Sequence, residues 1–227
     1  MRLYSNCCEA INDIGRELQK CSSKVHTQTY QNKVIAKDKN FNTRELQGFS
    51  FAIINTDDKD TMPEVTLEWC KAEFKERIAN HIENPGEAWK LRKEVWQEFL
   101  VNGRFEYTYW ERMRHQINPV INELRKNPET RQAIIQIHNR IVDQDEMGKK
   151  RLPCSMFYHF MFRNNQLDII YNMRSTDFAT HFQNDIHLAI QMQEYIAKAL
   201  NVKSGKFIMQ ASSLHIYAKD WQLLKRY

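Results

Sequence analysis

Hydrophobic positions fall into two periodicities along the chain, and their distribution predicts the elements. Between Ser5 and Cys21 the residues Ala10, Ile14 and Leu18 recur at helical spacing with charges elsewhere, the signature of an amphipathic helix. Val65–Ile82 repeats the pattern with Leu67, Cys70 and Phe74, and closes at Asn84-Pro85-Gly86, a turn signal. Residues 87–126 carry further helical stretches rich in Trp, Glu and Arg, broken around Asn102-Gly103. Phe182–Asn201 is the strongest helix, with Ile186, Ala189, Ile190, Ile196 and Leu200 as its buried stripe.

Strand patterns fill the remainder. Gly48–Asn55 (GFSFAIIN) reads as a buried strand, and from Asn127 onward Gln132–His138, Cys154–Phe162, Leu167–Met173 and Lys206–Met209 are all β-rich. Arg163-Asn164-Asn165-Gln166 joins the middle two as a hairpin. The 154–162 run is apolar on alternate positions and also at Phe157 and Met161, so it belongs inside a layered structure or against a partner subunit. Residues 139–151 form one long polar connection, of the kind that is functional or mobile. Helices and strands without internal repeats predict one layered α/β (α+β) domain over residues 1–227.

Composition narrows the chemistry. The six glycines stand singly, so neither G-x-G-x-x-G nor G-x-x-x-x-G-K-[ST] can be written, and any bound phosphate must be held mainly by side chains. A net charge of +5 is spread without long runs of like sign, which suits an anionic small substrate and argues against a nucleic-acid partner. Five cysteines with no C-x-x-C pair argue against a secreted disulfide framework and a zinc cluster, and no metal is expected. No run approaches the ~18 apolar residues of a membrane span and the first residues lack an apolar signal core, so the expected protein is soluble and cytoplasmic, with no membrane partner.

Cys154, after Pro153, is either an inert small hydrophobe or a nucleophile, and the second reading needs a cation nearby to favour the thiolate. Arg174 ends the strand that the hairpin returns beside Cys154, and could supply it. Arg174-Ser175-Thr176-Asp177 reads as a solvated turn or a ligand site. His215-Ile216-Tyr217 reads as a strand whose His and Tyr share a face. Asp185 suits a helix cap or first-turn carboxylate.

In order, RLPCSMFYHF, NMRSTDFATHFQND and SSLHIY resemble the thymidylate synthase superfamily, with its Pro-Cys nucleophile, R-S-x-D turn, helix-opening Asn or Asp and H-x-Y strand. The intervals of 20, 11 and 30 residues between Cys154, Arg174, Asp185 and His215 also match. The resemblance is firm over 127–220, weaker over 43–70 and 96–110, and absent from the first 40 residues, an N-terminal helical segment.

The resemblance implies the thymidylate synthase fold, a mixed sheet flanked by helices in a sheet-mediated homodimer. It also implies a pyrimidine nucleoside monophosphate as substrate and 5,10-methylenetetrahydrofolate as co-substrate. Cys154 would attack ring carbon 6 so that carbon 5 captures the one-carbon unit. Arg174 would hold the 5′-phosphate and favour the Cys154 thiolate, with Ser175 adding a hydrogen bond. Arg131 would reach in from the neighbouring subunit, and Arg44, just before the first strand, would complete the phosphate set. Gln132 stands where most relatives have a second arginine. His215 and Tyr217 would bind the sugar hydroxyl, and Asp177 would sit near the folate.

At the position of Asp185 the thymidylate synthases carry Asn, which reads uracil; a carboxyl group that accepts from the amino group and, when protonated, donates to the ring nitrogen reads cytosine. RSTDFATHFQND therefore resembles the deoxycytidylate and cytidylate hydroxymethylases most closely, and the expected product is a 5-hydroxymethylcytosine nucleotide, of ribose or deoxyribose. A thymidylate synthase, a deoxycytidylate methyltransferase and a catalytically weak nucleotide-binding relative are the alternatives. The last arises because the family's catalytic glutamate falls at Thr66, in Thr66-Leu67-Glu68-Trp69. Glu68 is the substitute candidate, although it lies about 200° around the helix. Tyr107 in FEYTYW matches the tyrosine that helps remove the carbon 5 proton, and Trp96 in EVWQEF a cavity tryptophan; both could equally be core aromatics.

Overall fold

A computed structural model describes residues 1–21, 24–26, 29–30, 33–34 and 38–227. The alternating segments assemble into a mixed sheet. Its strands are β1 (Arg2–Tyr4), β2 (Lys24–His26), β5 (Asn42–Ile53), β6 (Ile134–Gln136), β7 (Ser155–Arg163), β8 (Gln166–Met173), β9 (Thr176–Asp177) and β10 (Lys203–Tyr217), and β3 (Thr29–Tyr30) pairs separately with β4 (Lys33–Val34). The order β1-β5-β10-β8-β7-β6 combines parallel β1/β5 and β10/β8 pairs with antiparallel β5/β10, β8/β7 and β7/β6 pairs. β9 lies parallel to the end of β10.

The helices are α1 (Cys7–Lys20), α2 (Leu67–Ile78), α3 (Lys93–Trp96), α4 (Tyr109–Lys126), α5 (Arg140–Asp143) and α6 (Phe182–Leu200). Three of them form because sequence pattern and caps agree. Asn6 caps α1, Thr108 and Glu111 form a capping box on α4, and α6 ends at Asn201 in the left-handed region. Ile11, Ile14 and Leu18 of α1, Met113 and Ile117 of α4, and Ile186, Ile190 and Ile196 of α6 are fully or almost fully buried against Phe51, Ile169, Tyr171, Phe207 and Met209 of the sheet. The opposite sheet face, with Phe157, His159, Met161, Ile170 and Ile208, stays half-buried.

Several expectations are sharpened. The hairpin is present: Arg163 pairs with Gln166, and Asn164 and Asn165 take positive φ, as a two-residue turn of the right twist demands. The first long strand begins at Asn42, six residues earlier than Gly48, and the Lys206–Met209 pattern and the H-x-Y string belong to one strand, β10. Both extensions follow from pairing, since β5 and β10 stay in register from Phe207↔Ile53 to Tyr217↔Thr43. In the 87–108 region only α3 and short 3-10 turns form. The polar 139–151 segment carries α5, anchored by Asp143 accepting from Arg112 at 2.7 Å.

Candidate active site

The strand ends open on a cavity of about 830 Å³, large for a small-molecule site. One wall is set by register. A shift between Ser155 and Phe157 turns Ser155 fully inward and leaves Cys154, just ahead of β7, lining the cavity. Arg174 follows β8, and its backbone N–H donates to the Cys154 carbonyl at 2.9 Å. Its guanidinium donates to the carbonyls of Pro153 and Leu152, both at 2.9 Å, and to Ser175 Oγ at 3.2 Å. Ser175 Oγ lies 3.6 Å from Cys154 Sγ. The hairpin thus brings together the thiol, the guanidinium and the hydroxyl that the sequence places 20 residues apart.

His215 and Tyr217 reach the same cavity from β10, their rings 5.0 Å apart. Burial pushes His215 down to about 4, so its ring is neutral near pH 7. Ser213 Oγ donates its one hydrogen to Glu45 and lies 3.1 Å from His215 Nδ1, so it accepts from Nδ1–H. His215 Nε2 is left as an acceptor. Asp177 and Asp185 also line the cavity, and burial raises both carboxyl groups, Asp185 to about 7. Of the two helix readings of Asp185 the first-turn carboxylate stands and the cap does not: His181 holds the cap position of α6, and Asp185, in its first turn, accepts through Oδ2 from Thr176 Oγ1 at 3.0 Å. The preceding residue, Asn184, turns away and accepts from Thr66 N–H at 2.8 Å.

The other wall is aromatic and helical. Trp69 and Trp96 stack at 5.9 Å, Trp96 contacts His181 at 5.8 Å, and Tyr107 is buried beside Tyr109. Three residues on this wall escaped the sequence reading. Glu73 and Arg77 line the cavity one and two turns beyond Trp69, and Arg77 is buried between Glu73 Oε1 at 2.9 Å and the Tyr109 ring at 3.9 Å. The Trp69, Glu73, Arg77 spacing of four was the available signal. Arg151 lies over the rings of Trp96, Phe99 and Tyr107 at 4.8, 4.9 and 5.0 Å, an arrangement no local pattern announces.

Arg44 and Glu68 lie off the cavity wall, and Arg131, expected to act from a neighbouring subunit, is off this chain's wall as well. Arg44 sits within β5, not ahead of it, and its guanidinium donates to the Gln19 carbonyl at 2.7 Å and stacks on Trp221, off the cavity wall. Glu68 points to solvent because Trp69 and Cys70 take the buried face of α2, and Thr66, at its N-cap, is also off the wall. Arg131 is exposed on the segment leading to edge strand β6, away from this chain's own cavity. Among the described residues no cluster could hold a metal ion, and no helix is long and apolar enough to cross a membrane.

A family model described as thymidylate synthase matches residues 3–227. The chain belongs to the thymidylate synthase family. The match includes the N-terminal helix, which corrects the expectation that the first 40 residues fall outside the resemblance. A protein of Methanosarcina barkeri named "Putative thymidylate synthase" is 30% identical over 149 residues, 61% of this chain and 67% of that one. The "Deoxycytidylate 5-hydroxymethyltransferase" of Enterobacteria phage T4 is 26% identical over 174 residues, 70% of this chain and 67% of that one. The crystal structure of thymidylate synthase from T4 phage superposes with a TM-score of 0.70 at 21% identity, covering 95% of this chain and 78% of that one, which shows the thymidylate synthase fold. Enzymes of the thymidylate synthase family act on pyrimidine nucleoside monophosphates with methylenetetrahydrofolate, and both kinds of relative stand at similar distance from this member.

Proposed function

We propose that the protein is a deoxycytidylate or cytidylate 5-hydroxymethyltransferase. The observation that carries this is Asp185, a carboxyl group on the cavity wall that burial holds near neutrality at about pH 7. Such a group offers a donor and an acceptor side by side, and cytosine presents the matching acceptor, N3, beside its amino donor. Pairs left unmatched in a buried site cost about 1–3 kcal/mol each, enough to decide between bases.

In this reading Cys154 Sγ adds to carbon 6, and Arg174 and Ser175 hold the 5′-phosphate beside it. His215 Nε2 accepts from the sugar hydroxyl, with Tyr217 alongside. Tyr107 assists removal of the carbon 5 proton, water completes the hydroxymethyl group, and Cys154 leaves. The stacked indoles of Trp69 and Trp96, whose Nε1 atoms are buried without a hydrogen-bond partner among the described residues, suit a planar ring with acceptors and would hold methylenetetrahydrofolate, with Asp177 nearby. When bound, that molecule supplies the one-carbon unit captured by carbon 5. The half-buried sheet face supports a homodimer in which Arg131 of each subunit completes the other's phosphate pocket.

The deciding experiment incubates the protein with methylenetetrahydrofolate and each of dCMP, CMP and dUMP and reads product mass. A gain of CH2O on a cytosine nucleotide is expected. A methyl gain on dUMP identifies a thymidylate synthase, and a methyl gain on dCMP a deoxycytidylate methyltransferase. Thr66 in place of the family glutamate favours a second reading, nucleotide binding without turnover, which tight binding without any product supports.

A further inference from the structure

A neutral carboxyl group can carry its proton on either oxygen, so the carboxyl of Asp185 does not by itself select a base. If the Asp185 proton moved freely between its two oxygens, the same group could donate to cytosine N3 or accept from uracil N3–H with equal ease. Discrimination requires that one oxygen keep the proton. The structure contains a group able to impose this. Thr176 on β9 is buried, only 3% exposed, and its Oγ1 has one hydrogen-bond partner among the described residues, Asp185 Oδ2 at 3.0 Å. Were Thr176 to accept a hydrogen bond from Oδ2–H, its own hydroxyl hydrogen would be left buried with no acceptor among the described residues, an arrangement that buried polar groups avoid. Thr176 therefore donates, Oδ2 is the acceptor oxygen, and the proton of the neutral acid resides on Oδ1.

We propose that Thr176 is a specificity-determining positioning residue: its hydroxyl fixes the Asp185 proton on Oδ1, so that Oδ1–H donates to cytosine N3 while Oδ2 accepts from the 4-amino group, and a uracil in the same pose meets donor with donor and acceptor with acceptor. The base cannot shift to evade this if carbon 6 is held at Cys154 and the sugar at His215. The inference thus rests on the function proposed above.

Other charges facing Asp185 supply no such asymmetric contact. Arg77 from α2 and Arg92 from the turn before α3 act on the carboxylate through space, as do Asp177, Cys70 and the hydroxyls of Tyr109, Tyr158 and Tyr171. Among the described residues, the side-chain hydrogen bond to its carboxyl group is that of Thr176. Because donation also stabilises the ionised form, removing the hydroxyl raises the pH at which Asp185 loses its proton.

The test compares the wild-type enzyme with Thr176→Val, which keeps shape and removes the hydroxyl, and Thr176→Ser, which restores it. The readouts are kcat/KM for the preferred cytidylate and its uridylate counterpart, and the pH profile of the former. Expected is a cytidylate over uridylate preference that falls at least tenfold in Thr176→Val and returns in Thr176→Ser, with the alkaline limb of the valine variant displaced upward. A valine variant that melts like wild type yet keeps its preference within twofold and its pH profile unmoved overturns the inference. If Thr176→Val does not fold, the serine variant decides: a preference lost despite the retained hydroxyl overturns the proposal, and one retained supports it. A wild-type enzyme that prefers uridylate instead sinks the proposed function itself, a result visible before any variant is made.

Discussion

The two walls of the cavity are made by different physical means. On the sheet wall, His215 and Tyr217 are held by the β5/β10 register, while Cys154, Arg174 and Ser175 sit just beyond the paired ends of β7 and β8, where Arg174 N–H donates to the Cys154 carbonyl. On the helical wall, Trp69, Glu73 and Arg77 stand on α2, and ring stacking, a buried ion pair and a cation–ring contact tie them to one another and to Trp96 and Arg151. Backbone pairing tolerates the loss of a side chain; a mosaic of side chains does not. Substitutions on the sheet wall are therefore expected to change chemistry with the fold intact, and those on the helical wall to change stability or fit.

The sharpest contrast comes from Cys154→Ala, expected to lower turnover on the order of 10⁴-fold or more while nucleotide affinity stays within a few-fold and the melting curve is unmoved. Loss of nucleotide binding in that variant would break the comparison. On the opposite wall, Arg77→Met leaves Glu73 without its partner and is expected to cost about 3–5 kcal/mol, read from the urea midpoint. A loss below about 1 kcal/mol would show that water already solvates the pair. Trp96→Leu removes a stacking face and is expected to raise the KM for methylenetetrahydrofolate about tenfold, some 1.4 kcal/mol, with the nucleotide KM unchanged.

The smallest effect concerns His215. Its folded value of about 4 lies below the usual 6.5, so the unfolded chain takes up a proton that the native state refuses as pH falls between them. Native stability therefore declines over that window, and His215→Gln is expected to recover about 1 kcal/mol at pH 5.5, measured as a shallower fall in Tm between pH 6.5 and 4.5.

Legibility follows the same division. The hairpin could be read because Asn164-Asn165 is turn chemistry, and Cys154, Arg174 and Asp185 because motif order and strand geometry are local or nearly so. The structure put Arg44 and Glu68 elsewhere for reasons no local pattern carries: β5 begins earlier because β10 is long enough to pair with it, and Glu68 loses the inward face of α2 to Trp69 and Cys70. Arg151 depends on three rings from separate turns meeting around it. The Glu73 and Arg77 pair was within reach of helical spacing, but only with Trp69 already placed on the cavity wall.

β10 has one more consequence, in time. It is the hub on which β5, β8 and β9 all pair, and Tyr217 meets Thr43 only when segments from opposite ends of the chain come together. Contacts of such separation form late, because closing so long a loop is entropically costly. During synthesis β5 can pair with β1 and β2 as soon as it emerges, but its other edge waits until β10 has been made. The amides of 207–217 should gain hydrogen-exchange protection last on refolding, which would make closure of the cavity wall the final event of folding.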